Sequence, residues 1–148
     1  MRMNGFIIKE VEKLKKKYRT NNPFDIAEGE KIIVMFEPLG SIRGYYNKYA
    51  RQKFIHINSE MPHRQQYVTC GHELGHAKLH PNANTPFFRE SSFYSINKLE
   101  RQANKFDAHL LIDIDKIDRY LLENCSYEQI ATILKLPVEL VKIRFNIL

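Results

Sequence analysis

Strand-like sequence is confined to one stretch of this chain, residues 31–58, and apolar residues recur at helical spacing on both sides of it. The stretch is rich in β-branched and aromatic residues, and its last part alternates in polarity as a half-buried strand does. The predicted strands span 31–36, 41–47 and 53–58. Because they follow one another closely, they predict a small antiparallel sheet between helices, which is an α+β fold.

The predicted helices lie on both sides of this stretch. An N-terminal helix ends before Asn21–Pro23, and a second helix follows the sheet at 62–79. Residues 81–96 lack any period and are rich in Asn, Ser, Pro and aromatic side chains, so they predict a long loop. A capping box of Ser126 and Gln129 marks one later helix start. The later helical segments cover 99–111, 117–121, 126–134 and 138–145.

The length and composition suit one globular domain, predicted to span 1–148, with 43% hydrophobic and 27% charged residues. No window approaches the roughly 20 apolar residues of a membrane span, and the apolar stretch near the N-terminus is too short for a signal peptide. A cytoplasmic protein is therefore expected. Cys70 and Cys125 lack the paired spacing of a metal or redox motif and are predicted to be reduced thiols, suited to the core rather than to catalysis.

The chain is basic, with 23 Lys and Arg residues against 17 Asp and Glu residues and a net charge of +6. Such a balance suits nucleic acid or an acidic partner. Part of the excess lies on the N-terminal helix, opposite an apolar face formed by Phe6, Val11, Leu14 and Tyr18. Because runs of like charge usually form solvated helix faces, the net charge alone identifies no function.

Residues 71–76 contain the motif His-Glu-x-x-His, within the helix predicted at 62–79. Histidines four residues apart lie on one helical face, so the imidazoles of His72 and His76 can bind one Zn²⁺. Glu73 follows the first histidine and can take a proton from the attacking water. The motif predicts a catalytic zinc site, and the alternative is a helix with two ordinary histidines.

A catalytic zinc site needs a third protein ligand, and several residues could supply it. His80 shares the helical face of the motif histidines, but it lies one full turn beyond His76. Glu100 lies on the helix predicted at 99–111, where Asn104, one turn later, could orient a ligand histidine by a hydrogen bond. Glu90, in the predicted loop, is a rival to Glu100.

Two segments resemble the signature helices of the ImmA/IrrE family of zinc metallopeptidases. One is Glu-Leu-Gly-His-Ala-x-Leu-His at 73–80, and the other is Glu-x-x-Ala-Asn-x-Phe-x-x-x-Leu-Leu at 100–111. The stretches 39–41, 44–46 and 54–58 are similar to the strand region of that family. The chain departs from the family pattern at Asp107, where alanine is frequent, and after Leu111, where proline is frequent. These departures are expected to affect only the helix end and the local surface.

The resemblance implies a zincin-like metallopeptidase domain with a small sheet, the histidine-bearing helix and short C-terminal helices. It implies that His72, His76 and Glu100 bind zinc, and that Glu73 is the general base. A further donor is needed to stabilise the oxyanion of the transition state. The candidates for this donor are Tyr94, His109, Tyr45 and Tyr46. The aromatic side chains of loop 81–96 suit a lid, a substrate pocket or a small core.

Members of this family act on helix-turn-helix repressors encoded nearby, so the resemblance implies cleavage of one such repressor in a prophage or mobile element. An exposed strand edge beside the helix predicted at 62–79 could hold the substrate in an extended form. The alternative is a non-proteolytic regulator that binds a repressor or DNA through a helix-turn-helix-like element at 126–145. Direct DNA binding is the weaker expectation, because only Lys142, Arg144 and Asn146 would reach a groove there. No membrane partner is expected.

Overall fold

The helices and strands follow the patterning of the sequence closely, and they confirm the α+β class. The computed structural model describes residues 2–85 and 93–147 and, within these ranges, the side chains of 3–85 and 98–147. The helices are α1 (Arg2–Tyr18), α2 (Pro23–Gly29), α3 (His63–Leu79), α4 (Phe93–Leu111), α5 (Arg119–Asn124), α6 (Tyr127–Leu134) and α7 (Val138–Arg144). The strands are β1 (Ile33–Glu37), β2 (Gly44–Tyr49) and β3 (Gln52–Asn58). None of the described helices combines the length and the apolar character that crossing a bilayer requires.

Helix α2 lies where the sequence predicted only a break. The Asn22 side chain caps this helix by accepting a hydrogen bond from the backbone N–H of Phe24 at 2.9 Å. Pro23 occupies the first turn, where its fixed φ is favourable and its missing N–H costs nothing. The residues that end α1 therefore also start α2, and the prediction missed this helix.

The basic residues of α1 form a solvated face, as charge runs usually do. Ile7, Val11 and Leu14 are buried, whereas Lys9 and Lys13 are exposed. Phe6 was predicted on the apolar face but is 49% exposed. It falls outside the buried stripe because the buried positions are spaced by four and three residues from Ile7.

The sheet has the strand order β1-β3-β2, and the prediction of a fully antiparallel sheet was wrong. β2 and β3 form an antiparallel hairpin through a two-residue turn at Ala50 and Arg51, both of which have positive φ. β1 instead pairs in parallel with β3, with Val34 beside Ile55. The sheet is therefore mixed, and β1 and β2 are its two edges.

Asn58, at the end of β3, explains the parallel pair. Its Nδ2 donates hydrogen bonds to the carbonyl oxygens of Gly40 at 2.9 Å and Ile42 at 3.0 Å. Its Oδ1 accepts a bond from the N–H of Leu39 at 3.4 Å. These bonds hold the connection between β1 and β2 across the end of β3, so the chain enters β2 on the far side. The partners lie 16 to 19 residues apart, which local alternation cannot reveal.

Two apolar cores hold the elements together. The first lies between the sheet, α1, α3 and α4, and it contains Ile7, Val11, Leu14, Tyr46, Ile55, Ile57, Cys70, Leu74, Ala77, Phe106 and Leu110. The second lies where α4 meets α6 and α7, and it contains Ala108, Ile112, Ile130, Ala131, Leu136, Leu140 and Val141. Cys70 lies in the first core, as expected, and both cysteines are free thiols. Helix α4 thus contributes to both cores.

Helices α3 and α4 approach each other unusually closely. A Cβ added at Gly75 would lie 3.2 Å from the Cα and carbonyl oxygen of Ala103, and 3.1 Å from the Cβ of Phe106. Larger residues at either position would force the helices apart. The small residues at this crossing bring the polar side chains of α3 and α4 within hydrogen-bonding distance.

Candidate metal centre

Helix α3 presents His72 and His76 toward α4, one helical turn apart. Their ring centroids lie 4.9 Å from each other, with the ring planes nearly perpendicular. Most of α3 between Thr69 and Ala77 is buried, and His76 is fully inaccessible to solvent. Packing between the sheet and α4 therefore encloses the His76 ring, while the side chain of His72 keeps 16% of its surface exposed.

Glu100 of α4 completes a group of three potential ligands. Its Oε1 lies 2.7 Å from Nε2 of His76, and its Oε2 lies 3.2 Å from Nε2 of His72. One ligand atom from each residue can be chosen so that all three lie within 4.8 Å of one another. Two imidazole nitrogens and one carboxylate oxygen form a donor set that suits a catalytic divalent metal and leaves a position for water.

Glu73 lies beside this group without being part of it. The residue is 5% exposed, and its Oε1 has no hydrogen-bond partner among the described residues. Burial raises the pKa of the Glu73 carboxyl to about 7, although the nearby His72 opposes this shift. A buried carboxyl group with an unpartnered oxygen is suited to exchanging a proton with a bound water or substrate.

Asn104 orients the His72 ring from the side away from Glu100. The Nδ1–H of His72 donates to Oδ1 of Asn104 at 2.8 Å, which leaves Nε2 facing Glu100. Asn104 follows Glu100 by one helical turn, so a single face of α4 supplies both contacts. This contact agrees with the role that the sequence suggested for Asn104, which is to orient a histidine of the motif.

His80 contacts the other histidine of the motif rather than joining the ligand group. Nδ1 of His80 lies 3.1 Å from Nδ1 of His76, and Nε2 of His80 lies 2.6 Å from Oε1 of Gln102. His80 therefore stands behind His76, on the side opposite Glu100. The (i, i+4) spacing of His76 and His80 was the available signal for this contact, but Gln102 carried no signal in the sequence.

The electrostatics of the group are dominated by burial and by Glu100. Burial opposes a charge on His72, but the hydrogen bond to Glu100 and the charge of Glu73 raise the pKa of His72 to about 9. Burial lowers the pKa of His76 to about 4. Burial also opposes the charge on Glu100, yet hydrogen bonds from His72 and His76 hold the pKa of its carboxyl far below the usual value. The protein has thus assembled an anionic carboxylate between two imidazoles, and a divalent cation would replace the proton on Nε2 of His72.

Three of the predicted oxyanion donors, His109, Tyr46 and Tyr45, have described side chains, and these lie in other surroundings. His109 follows Glu100 by nine residues, about two and a half helical turns, and so projects from the opposite face of α4. The hydroxyl of Tyr46 donates to the carbonyl oxygen of Pro81 at 2.6 Å. Tyr45 stacks on His56 with a centroid distance of 4.1 Å. The side chain of Tyr94, the rival ligand Glu90 and the aromatic side chains of the predicted loop 81–96 lie outside the described residues. Residues 93–96 belong to α4, so the prediction of a loop was wrong for that part.

The edge of β2, beside α3, is bonded to the chain that follows this helix. The N–H of Tyr46 donates to Oγ1 of Thr85 at 2.7 Å, and that hydroxyl donates to the carbonyl oxygen of Tyr46 at 3.0 Å. The N–H of Lys48 donates to Oδ1 of Asn84 at 2.8 Å. The outward backbone groups of β2 are therefore occupied by two side chains of the same protein.

Comparison with known proteins identifies the family. The M78 peptidase family, described as an IrrE N-terminal-like domain, matches residues 27–146. The chain is 36% identical over 135 residues to Uncharacterized immunity region protein 2 of Bacillus phage phi105, covering 90% of this chain and 85% of that protein. It is 34% identical over 132 residues to Metallopeptidase ImmA of Bacillus subtilis strain 168, covering 86% and 77% of the two chains. The chain therefore belongs to the ImmA/IrrE family and is a metallopeptidase of the ImmA type.

Proposed function

We propose that this metallopeptidase is a zinc-dependent endopeptidase in which His72, His76 and Glu100 hold the metal and Glu73 is the general base. The observation that carries the proposal is the convergence of the three ligand atoms within 4.8 Å of one another, next to the buried carboxyl of Glu73. The combination of two histidines and one carboxylate is typical of catalytic zinc in peptidases. Asn104 supports the site by fixing the His72 ring.

Zinc, when bound, lowers the pKa of a water molecule to about 7 and polarises the peptide carbonyl. Glu73 takes a proton from the attacking water at Oε1 and gives it to the leaving amine. The unpartnered Oε1 and a pKa near 7 support this role, because one group must accept and then release a proton at neutral pH. Asn104, acting through His72, keeps a ligand nitrogen directed at the metal.

The substrate that we propose is a helix-turn-helix transcriptional repressor of a prophage or mobile element. The resemblance to a family whose members act on such repressors supports this proposal, as does the relative named as a phage immunity region protein. The net charge of +6 and the exposed lysines of α1 favour an acidic repressor surface, or a repressor on DNA. We further propose that residues 1–148 act as one metallopeptidase domain in the cytoplasm.

The alternative is a regulator that binds a repressor or DNA without cleaving it, through the element at 126–145. Two of the three side chains that could enter a DNA groove are engaged within the protein. Nε of Arg144 donates to the carbonyl oxygen of Ile112 at 2.9 Å, and Nζ of Lys142 lies 3.8 Å from the carboxylate of Glu128. Binding alone also requires no base, so the buried Glu73 favours catalysis.

The test is co-incubation of the purified protein with a repressor encoded beside its gene, followed by mass spectrometry of the products. We expect two fragments from a single cut in the presence of zinc, and none after chelation or with Glu73→Gln. His63→Gln is the matched control, because His63 is an exposed histidine of α3 outside the ligand group. Cleavage by Glu73→Gln at the wild-type rate would overturn the proposed mechanism. An intact repressor that binds the wild-type protein would favour the alternative.

A further inference from the structure

A continuous chain of hydrogen bonds leads from Glu100 through His76 and His80 to Gln102. Oε1 of Glu100 contacts Nε2 of His76 at 2.7 Å, and the Nδ1 atoms of the two histidines are 3.1 Å apart. Nε2 of His80 then contacts the side-chain amide of Gln102 at 2.6 Å. Because a neutral imidazole carries one proton, the position of the proton on one ring determines the position on the next.

Without a metal, the chain of bonds must run in one direction. Nε2 of His76 faces a carboxylate, so it carries the proton and donates to Glu100. A neutral His76 then accepts at Nδ1, and the Nδ1–H of His80 is the donor. Nε2 of His80 is left without a proton, and it can accept a bond from the NH₂ of Gln102 only when that amide is turned round from its orientation in the structure. Each bond in this arrangement has one donor and one acceptor.

A metal ion on Nε2 of His76 requires the opposite direction. The proton of His76 must then lie on Nδ1, which donates to Nδ1 of His80. The proton of His80 moves to Nε2, which donates to Oε1 of Gln102. The orientation of Gln102 in the structure, with Oε1 toward His80, is the one that this direction needs.

We infer that metal binding reverses this hydrogen-bond chain, and that His80 and Gln102 are positioning residues that hold His76 in either state. The inference rests on the proposed function. On reversal, the proton on Nε2 of His76 leaves by way of the part-exposed Glu100 carboxylate, the proton between the rings moves from His80 to His76, and Nε2 of His80 takes a proton from solvent. The number of protons on the two rings is unchanged. Gln102 rotates its amide by half a turn, which exchanges its acceptor oxygen for its donor nitrogen.

Nitrogen-15 NMR of the histidine rings, at a pH above 7, tests the reversal directly. We expect the proton of His80 on Nδ1 in the metal-free protein and on Nε2 after one equivalent of zinc. A wild-type protein that binds zinc with the same His80 tautomer in both states would overturn the inference and leave the proposed function intact. A wild-type protein that binds no zinc would overturn both.

Variants of Gln102 test two things separately. One is the direction of the hydrogen-bond chain, and the other is whether residue 102 makes a hydrogen bond at all. Gln102→Glu can only accept, so His80 should carry its proton on Nε2 with and without zinc, and the affinity for zinc should be equal to or higher than that of the wild type. Gln102→Leu can do neither and should weaken zinc binding. Gln65→Glu is the matched control for the added charge, because Gln65 is an exposed residue of α3. A His80 tautomer that still changes in Gln102→Glu would contradict the role of Gln102.

Variants of His80 test positioning through rescue. His80→Asn retains a donor and an acceptor near the place of Nδ1, and its zinc affinity should stay near the wild-type value. His80→Leu fills the space without either and should lower the affinity about 10- to 100-fold, measured by competition with a chelator. Equal zinc affinities of His80→Asn and His80→Leu would overturn the positioning role. Circular dichroism of the metal-free variants confirms that each is folded.

Discussion

Gly71 of α3 and Asp107 of α4 meet at one point of the helix crossing, where a Cβ at position 71 would lie 2.0 Å from Oδ1 of Asp107. Asp107 is 1% exposed, and this oxygen has no hydrogen-bond partner among the described residues. Burial raises the pKa of its carboxyl well above the usual value, which favours the protonated form. The departure at Asp107 was expected to affect the helix end and the local surface, whereas the structure buries this side chain between α3 and α4.

Gly71→Ala should destabilise the protein by about 1–3 kcal/mol, because the new methyl group has no room beside Asp107. In an Asp107→Ala background, the same change should be neutral or stabilising, because alanine favours a helix by about 1 kcal/mol over glycine. Urea unfolding of the two single variants and the double variant measures the coupling. Gly5→Ala is the control, because nothing lies within 4 Å of a Cβ at that position of α1. Additive effects of the two substitutions would contradict the contact.

Glu30, which follows α2, should make the free energy of unfolding depend on pH. Burial would raise the pKa of its carboxyl, but hydrogen bonds from Lys78, Tyr18 and Lys17 lower it to about 2. A carboxyl with a depressed folded-state pKa stabilises the protein above its unfolded-state value of 4.5, and this contribution disappears as the pH falls from there toward 2.

Comparison with Glu30→Gln isolates this contribution. Between pH 7 and pH 3, the wild type should lose about 1–2 kcal/mol more unfolding free energy than Glu30→Gln does, because solvent screens part of the interaction. Urea titrations at both pH values supply the measurement. Parallel losses in the two proteins would show that the contacts of Glu30 do not favour its charged form.

The roles proposed for Glu73 and Glu100 predict opposite effects on metal and rate. Glu73→Gln should keep zinc and lose about 10²- to 10⁴-fold in cleavage rate, because only the base is removed. Glu100→Ala should lower the affinity for zinc by more than the roughly 10- to 100-fold that is typical of losing an outer hydrogen-bond partner. Metal analysis after gel filtration and a peptide cleavage assay distinguish the two. Loss of metal in both variants to the same extent would contradict the assignment.

Removing the side chains that are bonded to the edge of β2 should raise the peptidase activity. Thr85→Val with Asn84→Ala frees the N–H groups of Tyr46 and Lys48, so an extended peptide no longer competes with the protein's own side chains. We expect kcat/KM to rise about 2- to 10-fold, the value of one net hydrogen bond. Asn82→Ala is the control, because Asn82 accepts a bond from the side chain of Lys48 rather than from a backbone group of β2. A lower kcat/KM in a folded double variant would mean that this segment helps to bind substrate.

The sequence predicted most of the elements because their signals are local. The alternating β3 and the helical periods of α3 and α4 need only neighbouring residues. The motif histidines and the (i, i+4) pair of Glu100 and Asn104 are local in the same sense. Spacing alone did not show that the motif histidines meet Glu100 and Asn104 across two helices. The resemblance to a family implied this arrangement.

The features that were missed depend on contacts between distant residues. Asn58 holds the connection between β1 and β2 through bonds to residues 16 to 19 positions earlier. Gln102 has no distinguishing neighbours in the sequence, and only the crossing of α3 and α4 brings it to His80. From the sequence, Asp107 is expected at the surface, because charged residues are rarely buried without a partner.

Helix α4 is a rigid rod that carries Glu100 at one level and Ala108, a member of the second core, about 12 Å further along its axis. A tilt of this helix at its C-terminal part therefore moves Glu100 in proportion to the distance between them. A tilt of about 5° imposed at α6 and α7 displaces the Glu100 level by about 1 Å, a shift that can cost on the order of a hundredfold in rate. We therefore expect a partner bound to α6 or α7 to be able to change the position of Glu100 relative to the two histidines.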